Sequence, residues 1–286
     1  MSQPACEGYF KPMPTFTTVY KRCRPLLGTF VEVSLFDVLS SQAEACIEAA
    51  YRAIEQVGEV MSFHLPESDL SRLNRTPVGR WISVSAHLAE VLTLAIDLHH
   101  QSDGMFNVAV ARPLIVWGLL PGVTSDPGWR HLAGTGFEVS GRRARRLSPI
   151  QIDLGGIAKG YAVDRAVAAI RALHERPSGC VNAGGDLRVF GREQPVLIRS
   201  GDPERPCFHW MHKQNCAVAT STSWPKAEVS PYVDAKNRGP LLAKRTVTVS
   251  ARDCVVADAL TKIALLLPCH HAQRVARAYQ SEMILL

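Results

Sequence analysis

The chain has 286 residues, 47% of them hydrophobic and 20% charged, a globular balance that excludes a disordered polypeptide. Lys and Arg (32) outnumber Asp and Glu (26) for a net charge of +6, but the excess is spread along the chain and forms no nucleic-acid-binding stripe. No apolar run reaches the roughly 18 residues that cross a bilayer, so neither nucleic acid nor membrane is expected as a partner.

Residues 1–22 read as a loose leader and 23–286 as one domain. The leader lacks the basic start and apolar core of a secretory signal, and Cys6 follows no apolar run, so cytoplasm is the expected compartment. The eight cysteines include no CxxC pair, which favours buried free thiols over zinc or disulfides.

Within Arg24–Phe36, Val31, Val33 and Leu35 alternate with Glu32 and Ser34, predicting a half-buried strand. Ile47, Ala50, Ile54, Val57 and Met61 then recur at helical spacing, with Ser40 or Ser41 as the cap. His64–Asn74 is polar and turn-rich. A second helix is predicted over Ser85–Gln101, burying Leu88, Val91, Leu92, Ala95 and Leu98. The basic run Arg142, Arg143, Arg145 and Arg146 reads as a turn between strands, either solvated or in contact with phosphate or nucleic acid. A strand ending at Asp153 is followed by a glycine turn and a helix from about Tyr161 to Leu173. Cys180–Asn182 and Leu187–Phe190 pair as a hairpin, and Val196–Ser200, Ala217–Thr220 and Thr246–Ser250 also read as strands. The last strong helix starts near Val256, and CHHAQR (Cys269–Arg274) reads as surface. Strands and helices interleave without strict βαβ order, which predicts an α+β fold.

Four segments carry chemistry. In DLGGIAKGYAVD (Asp153–Asp164) a carboxylate, two glycines and Lys159 precede a helix, an arrangement suited to an anion such as a pyrophosphate. Its spacing matches neither GxGxxG nor the P-loop, and a turn that merely packs helix on strand remains the alternative. VNAGGDLRVFG (Val181–Gly191) sets another glycine pair beside Asn182 and Asp186, as a tight hairpin or a site. In SDGMFNVAV (Ser102–Val110), Asp103 and Asn107 either read a ring edge or simply end a helix at Gly104. In CVVADALTKIA (Cys254–Ala264), Asp258 has Thr261 and Lys262 on its own helical face. Carboxylate and hydroxyl there could hold Mg²⁺ beside a phosphate, or Asp258 and Lys262 could form an ordinary ion pair.

Taken in order, PLLGTFVEV, MSFHLPESDLSRLN, SDGMFNVAV with PLIVWG, DLGGIAKGYAVDRAV, VNAGGDLRVFG, VATS and ADALTK resemble the ApbE family of FAD:protein FMN transferases. The resemblance implies an α+β, ApbE-like (T-fold-like) two-lobed fold with mixed or antiparallel sheets, helices and a flavin cleft. It also implies Mg²⁺-assisted transfer of FMN from FAD onto a Ser or Thr of an acceptor flavoprotein, with release of AMP. By this resemblance Leu27, His64, Met105, Phe106, Asn107, Asp153, Lys159 and Val233 bind FAD, with His64 in a place usually held by an aromatic residue. The carbonyl of Gly156, with Asp258 and Thr261, would hold the metal, and Asp258 and Lys262 would be catalytic.

Three departures stand out. The family places Thr four residues after the metal Asp, where this chain has Lys262. Either the metal keeps fewer protein ligands or the ammonium partly replaces it, since a protonated lysine cannot ligate Mg²⁺. In SPYVDAKNRG (Ser230–Gly239), Pro231 stands where the family's SHIIDP-like segment has His, and Asn107 replaces an Asp. The alternatives to transfer are an FAD-binding carrier or maturation factor and an FAD pyrophosphatase.

Overall fold

The computed structural model describes residues 19–202, 208–223 and 229–286. Strands β1 (Val19–Leu26) and β2 (Thr29–Phe36) form a hairpin, so Val19–Arg22 belong to the sheet and not to the expected leader. Residues 1–18, Cys6 among them, and Cys207 lie outside the described residues. In β2 the expected alternation holds, with Val31, Val33 and Leu35 fully buried. The turn between the strands needs positive φ at Leu27 (54°) and Gly28 (70°).

Helix α1 (Ser40–Met61) buries the predicted stripe, but Leu39 precedes its first turn and no side chain caps it. The polar stretch that follows is not all turn. Ser68 caps a short helix, α2 (Asp69–Arg75), by accepting from the Ser71 amide at 3.0 Å, and Leu70 and Leu73 are buried. After β3 (Ile82–Ser83), Ser85 caps α3 (Ala86–Gln101) through the Leu88 amide at 3.1 Å. A short α4 (Ala111–Val116) leads to β4 (Phe137–Ser140) and β5 (Arg143–Arg146). In the basic run, Arg142 lies in the turn and Arg143, Arg145 and Arg146 in β5. Arg143 and Arg145 lie over the Trp81 ring, Arg145 pairs with Glu138, and Arg146 donates to the carbonyls of Thr76 and Ile150. These internal contacts favour a structural role over phosphate binding.

The approach to Asp153 is extended but belongs to no sheet. Its Ile152 amide donates to Asn74 Oδ1 at 2.8 Å, and the Asp153 amide donates to the Val108 carbonyl at 2.8 Å. Helix α5 (Ala158–Leu173) then starts earlier than expected, placing Lys159 in its first turn. The hairpin β6 (Ser178–Ala183) and β7 (Asp186–Phe190) forms as predicted, followed by β8 (Gln194–Arg199) and β9 (Phe208–Lys213). Next come β10 (Cys216–Thr222), the short pair β11 (Val233–Asp234) and β12 (Gly239–Pro240), and β13 (Thr246–Ala251). Helices α6 (Cys254–Leu266) and α7 (Cys269–Ala278) and strand β14 (Glu282–Leu285) complete the described chain. The CHHAQR stretch opens α7, which buries Ala272, Val275 and Ala276 while His270 stays exposed.

The fold is α+β, and every strand pairing is antiparallel. The main sheet runs β1-β2-β6-β7-β10-β13-β14, with a smaller sheet β3-β5-β4 and two two-stranded ribbons. One contiguous apolar core joins the main sheet to α1, α3, α5 and α6. Among the described residues no helix is long and apolar enough to cross a membrane.

Two features fix α5 against α6. Asp164 of α5 accepts from the amides of Cys254 and Val255, both at 2.9 Å, and so caps α6 in place of Asp253, whose side chain caps nothing. Gly160 lets the helices touch, since a Cβ there would sit 2.3 Å from the Cys254 carbonyl oxygen and 2.8 Å from Asp258 Cβ. Gly160→Ala is therefore expected to cost about 1–3 kcal/mol in urea unfolding through overpacking. Gly134→Ala, whose Cβ meets nothing within 4 Å, should change stability by less than about 0.5 kcal/mol.

Candidate functional site

A cavity of about 1100 Å³ opens where these elements converge. Its apolar wall includes Leu27 of the first hairpin turn, Val57 and Met61 of α1, and Met105, Phe106 and Val110 of the loop after α3. That loop is held firmly. Ser102 Oγ accepts from the Phe106 amide at 2.8 Å, and His99 Nδ1 contacts the Phe106 carbonyl at 3.0 Å. The polar side of the cavity is the glycine turn Asp153–Lys159, facing Thr220–Ser223 at the end of β10.

All the FAD-binding residues implied by the resemblance meet here: Leu27, His64, Met105, Phe106, Asn107, Asp153, Lys159 and Val233 line the cavity. His64 is exposed on a loop pinned by Ser62, whose Oγ accepts from the His64 and Leu65 amides at 3.1 and 3.2 Å. Asn107 is different in kind. Its Nδ2 donates to the carbonyls of Leu132 (3.0 Å) and Gly134 (3.3 Å), and its Oδ1 accepts from the Ala109 amide. With both amide hydrogens used, the side chain anchors a loop and has no donor left to read a ring edge. Asp103, the other candidate for that task, has φ 52° and pairs with Arg274 on the surface. Pro231, at the position where the resemblance has a histidine, also lines the cavity.

Charge gathers at the floor. Lys159 Nζ lies 2.8 Å from Asp186 Oδ2 and 3.8 Å from Asp258 Oδ2, and Lys262 Nζ is bonded to Asp258 Oδ1. The Gly160 amide donates to Asp258 Oδ2 at 3.0 Å. Asp258 has no exposure and Asp186 only 3%, so each carboxylate depends on these partners for its charge. Burial works against ionisation of Asp258, but Lys262 and Lys159 hold its carboxyl below the ordinary range. Asp186 is pushed up by burial and by the neighbouring Asp258 charge. Lys159 is held above the ordinary ammonium range because Asp258 and Asp186 outweigh its burial. The sequence marks Asp186 beside a glycine pair as part of a tight hairpin or a site, and gives it no specific role there.

The residues implied for a divalent ion do not fit one. Asp258 already receives Lys262 on one oxygen and the Gly160 amide on the other. Thr261 does not line the cavity: it is fully buried, donates to the Asp258 carbonyl at 2.7 Å and shares a 2.7 Å bond with Ser221 Oγ. Above them the lysine stem covers Gly156, where a Cβ would lie 3.6 Å from Lys262 Cγ. Mg²⁺ is ordinarily held by one or two carboxylates together with water and phosphate, and here the Asp258 carboxylate is engaged by an ammonium and an amide. Among the described residues no group of three or more His, Cys, Asp or Glu side chains could hold a metal.

Comparison with known proteins identifies the family and the fold. The ApbE family model matches residues 27–285. The FAD:protein FMN transferase of Chlamydia pneumoniae is 29% identical over 269 residues, covering 85% of this chain and 80% of the relative. That of Vibrio cholerae serotype O1 is 25% identical, covering 82% of this chain and 77% of the relative. The match to the Haemophilus influenzae FAD:protein FMN transferase, 26% identical, spans 53% of that protein. Among solved structures, the flavin transferase ApbE from Vibrio cholerae superposes with a TM-score of 0.81 at 22% identity, covering 94% of this chain and 93% of that one. An ApbE protein from Thermotoga maritima gives 0.79 at 24% identity, covering 94% of each.

Asp153 offers a test of how the site balances stability against binding. It lines the cavity, and burial raises its carboxyl above the ordinary range despite the Gly155 amide that donates to it at 3.1 Å. A carboxyl whose folded value lies above its unfolded one costs stability as pH rises through that interval. Asp153→Asn is therefore expected to raise the melting temperature at neutral pH, with the gain vanishing below the ordinary carboxyl range. A variant that melts lower than wild type at neutral pH would contradict this.

Proposed function

The chain belongs to the ApbE family, and we propose on that premise that it is an FAD:protein FMN transferase that uses this cavity. FAD is its substrate, and a Ser or Thr hydroxyl of a protein is the acceptor. The observation that carries the reading is an apolar chamber joined to a charged glycine turn, one compartment for a flavin ring and one for a pyrophosphate. Leu27, Met105 and Phe106 offer an apolar surface of the kind that covers aromatic rings. Gly155 and Gly156 at the start of α5 allow the backbone close to phosphate oxygens, and Lys159 supplies a cation beside them.

The chain's own residues then have defined tasks. The apolar wall orients the flavin, and the turn and Lys159 hold the pyrophosphate so that its FMN-side phosphorus faces the opening. Asp186 and Asp258 keep Lys159 charged and in place. Because Pro231 provides no base, the acceptor hydroxyl loses its proton to solvent as its oxygen attacks. Mg²⁺, implied by the resemblance, has no place in this scheme because Asp258 and Thr261, two of its implied ligands, are engaged by other groups.

The direct test is mass spectrometry of candidate acceptors co-expressed with the protein, alongside chromatography of AMP. Transfer predicts AMP together with an FMN adduct on a Ser or Thr. FMN and AMP without an adduct would mark a pyrophosphatase, and bound but intact FAD would mark a carrier. The purified protein should also bind FAD at least about tenfold more tightly than FMN, roughly 1.4 kcal/mol, by flavin fluorescence quenching. Equal affinities would remove the pyrophosphate from the site.

A further inference from the structure

We propose that the Lys262 ammonium is the resident cation of the reaction centre, standing where a divalent ion would bridge Asp258 and the pyrophosphate, so that transfer proceeds without metal. This rests on the reading of the chain as an FMN transferase.

Geometry supplies the first argument. Lys262 follows Asp258 by one helical turn of α6, its ammonium is bonded to Asp258 Oδ1, and its side chain is 11% exposed at the cavity floor. The stem runs beside the glycine turn: a Cβ on Gly156 would lie 3.6 Å from Lys262 Cγ and 3.9 Å from Cε. Thr261, the nearest hydroxyl on the helix, faces Ser221 and cannot take up the role.

Charge supplies the second. Lys159 and Lys262 balance Asp186 and Asp258 pair by pair. A divalent ion entering this floor would sit against two ammonium groups, and repulsion between charges is strong where water is scarce. An ammonium has three donors. With one on Asp258, Lys262 keeps two for phosphoryl oxygens.

In the step itself, the Ser or Thr oxygen forms a bond to the FMN-side phosphorus. The bond from that phosphorus to the bridging oxygen breaks, its electron pair leaves with AMP, and the hydroxyl proton goes to solvent. Charge grows on the bridging and non-bridging oxygens, where Lys262 supplies one positive charge in place of the two of a metal ion.

The test titrates Mn²⁺ into wild type and Lys262→Thr, each with and without FAD, and reads free Mn²⁺ by electron paramagnetic resonance. AMP release, with an acceptor protein present, is followed in parallel with chelator or with added Mg²⁺. Wild type should leave the Mn²⁺ signal as FAD alone leaves it, and its AMP release should survive chelation. Lys262→Thr should bind Mn²⁺ one to one, and its AMP release should fall at least about tenfold in chelator and recover with Mg²⁺. Stoichiometric Mn²⁺ binding by wild type, or AMP release abolished by chelator, would overturn the proposal. A wild type that releases no AMP under any condition overturns the transferase reading instead, while the Mn²⁺ titration still decides who holds the cation position. The wild-type arms suffice if the variant does not fold.

Discussion

A carboxylate with no access to water, Asp258, sets the terms for the rest of the site. An isolated buried charge costs far more than a domain can spare, so its neighbours are dictated by its presence. The Gly160 amide must reach it, which requires α5 and α6 to touch, which in turn excludes any side chain at position 160. Lys262 must lie on it from within the same helix, and Lys159 must stand nearby while paired with Asp186. Asp164 holds α6 at the angle that makes this possible, with Arg188 and Asp253 completing the brace. The glycine turn that faces the cavity is thus the visible end of a buried electrostatic arrangement.

Much of the fold was legible because its elements bury one face in a regular rhythm. β2 alternates in strand fashion, and α1 and α3 carry apolar stripes at helical spacing. Where local signals failed, tertiary contact was the reason. The run before Asp153 looks like a strand but bonds to the Asn74 side chain and the Val108 carbonyl, partners far away in sequence. Helix α2 is too short to show a period, yet the Ser68 cap and two buried leucines sustain it. Strand β1 shows little alternation because most of it is exposed, and only its pairing with β2 defines it.

The site divides in the same way. The glycine turn with Lys159 suggests a place for an anion from one stretch of sequence, and in the fold it lines the cavity. The partnership of Lys159 with Asp186 was not, because it joins two elements that only the folded sheet brings together. Asn107 shows the reverse error: its position suggests recognition, while its hydrogen bonds assign it to holding a loop. For Asp258 and Lys262, the sequence left an ordinary surface pair open, and burial decides against it. A surface pair contributes little to stability, whereas this one sits at the cavity floor beside the glycine turn with its carboxylate fully enclosed.

The central claim is that a lysine holds the cation position in the reaction centre. A crystal structure of the protein with FAD, grown in Mn²⁺ and recorded at the manganese absorption edge, tests it most directly. The account predicts Lys262 Nζ between Asp258 and a pyrophosphate oxygen, with no anomalous peak there. A manganese peak bridging Asp258 and the pyrophosphate, with Lys262 turned away, would contradict it.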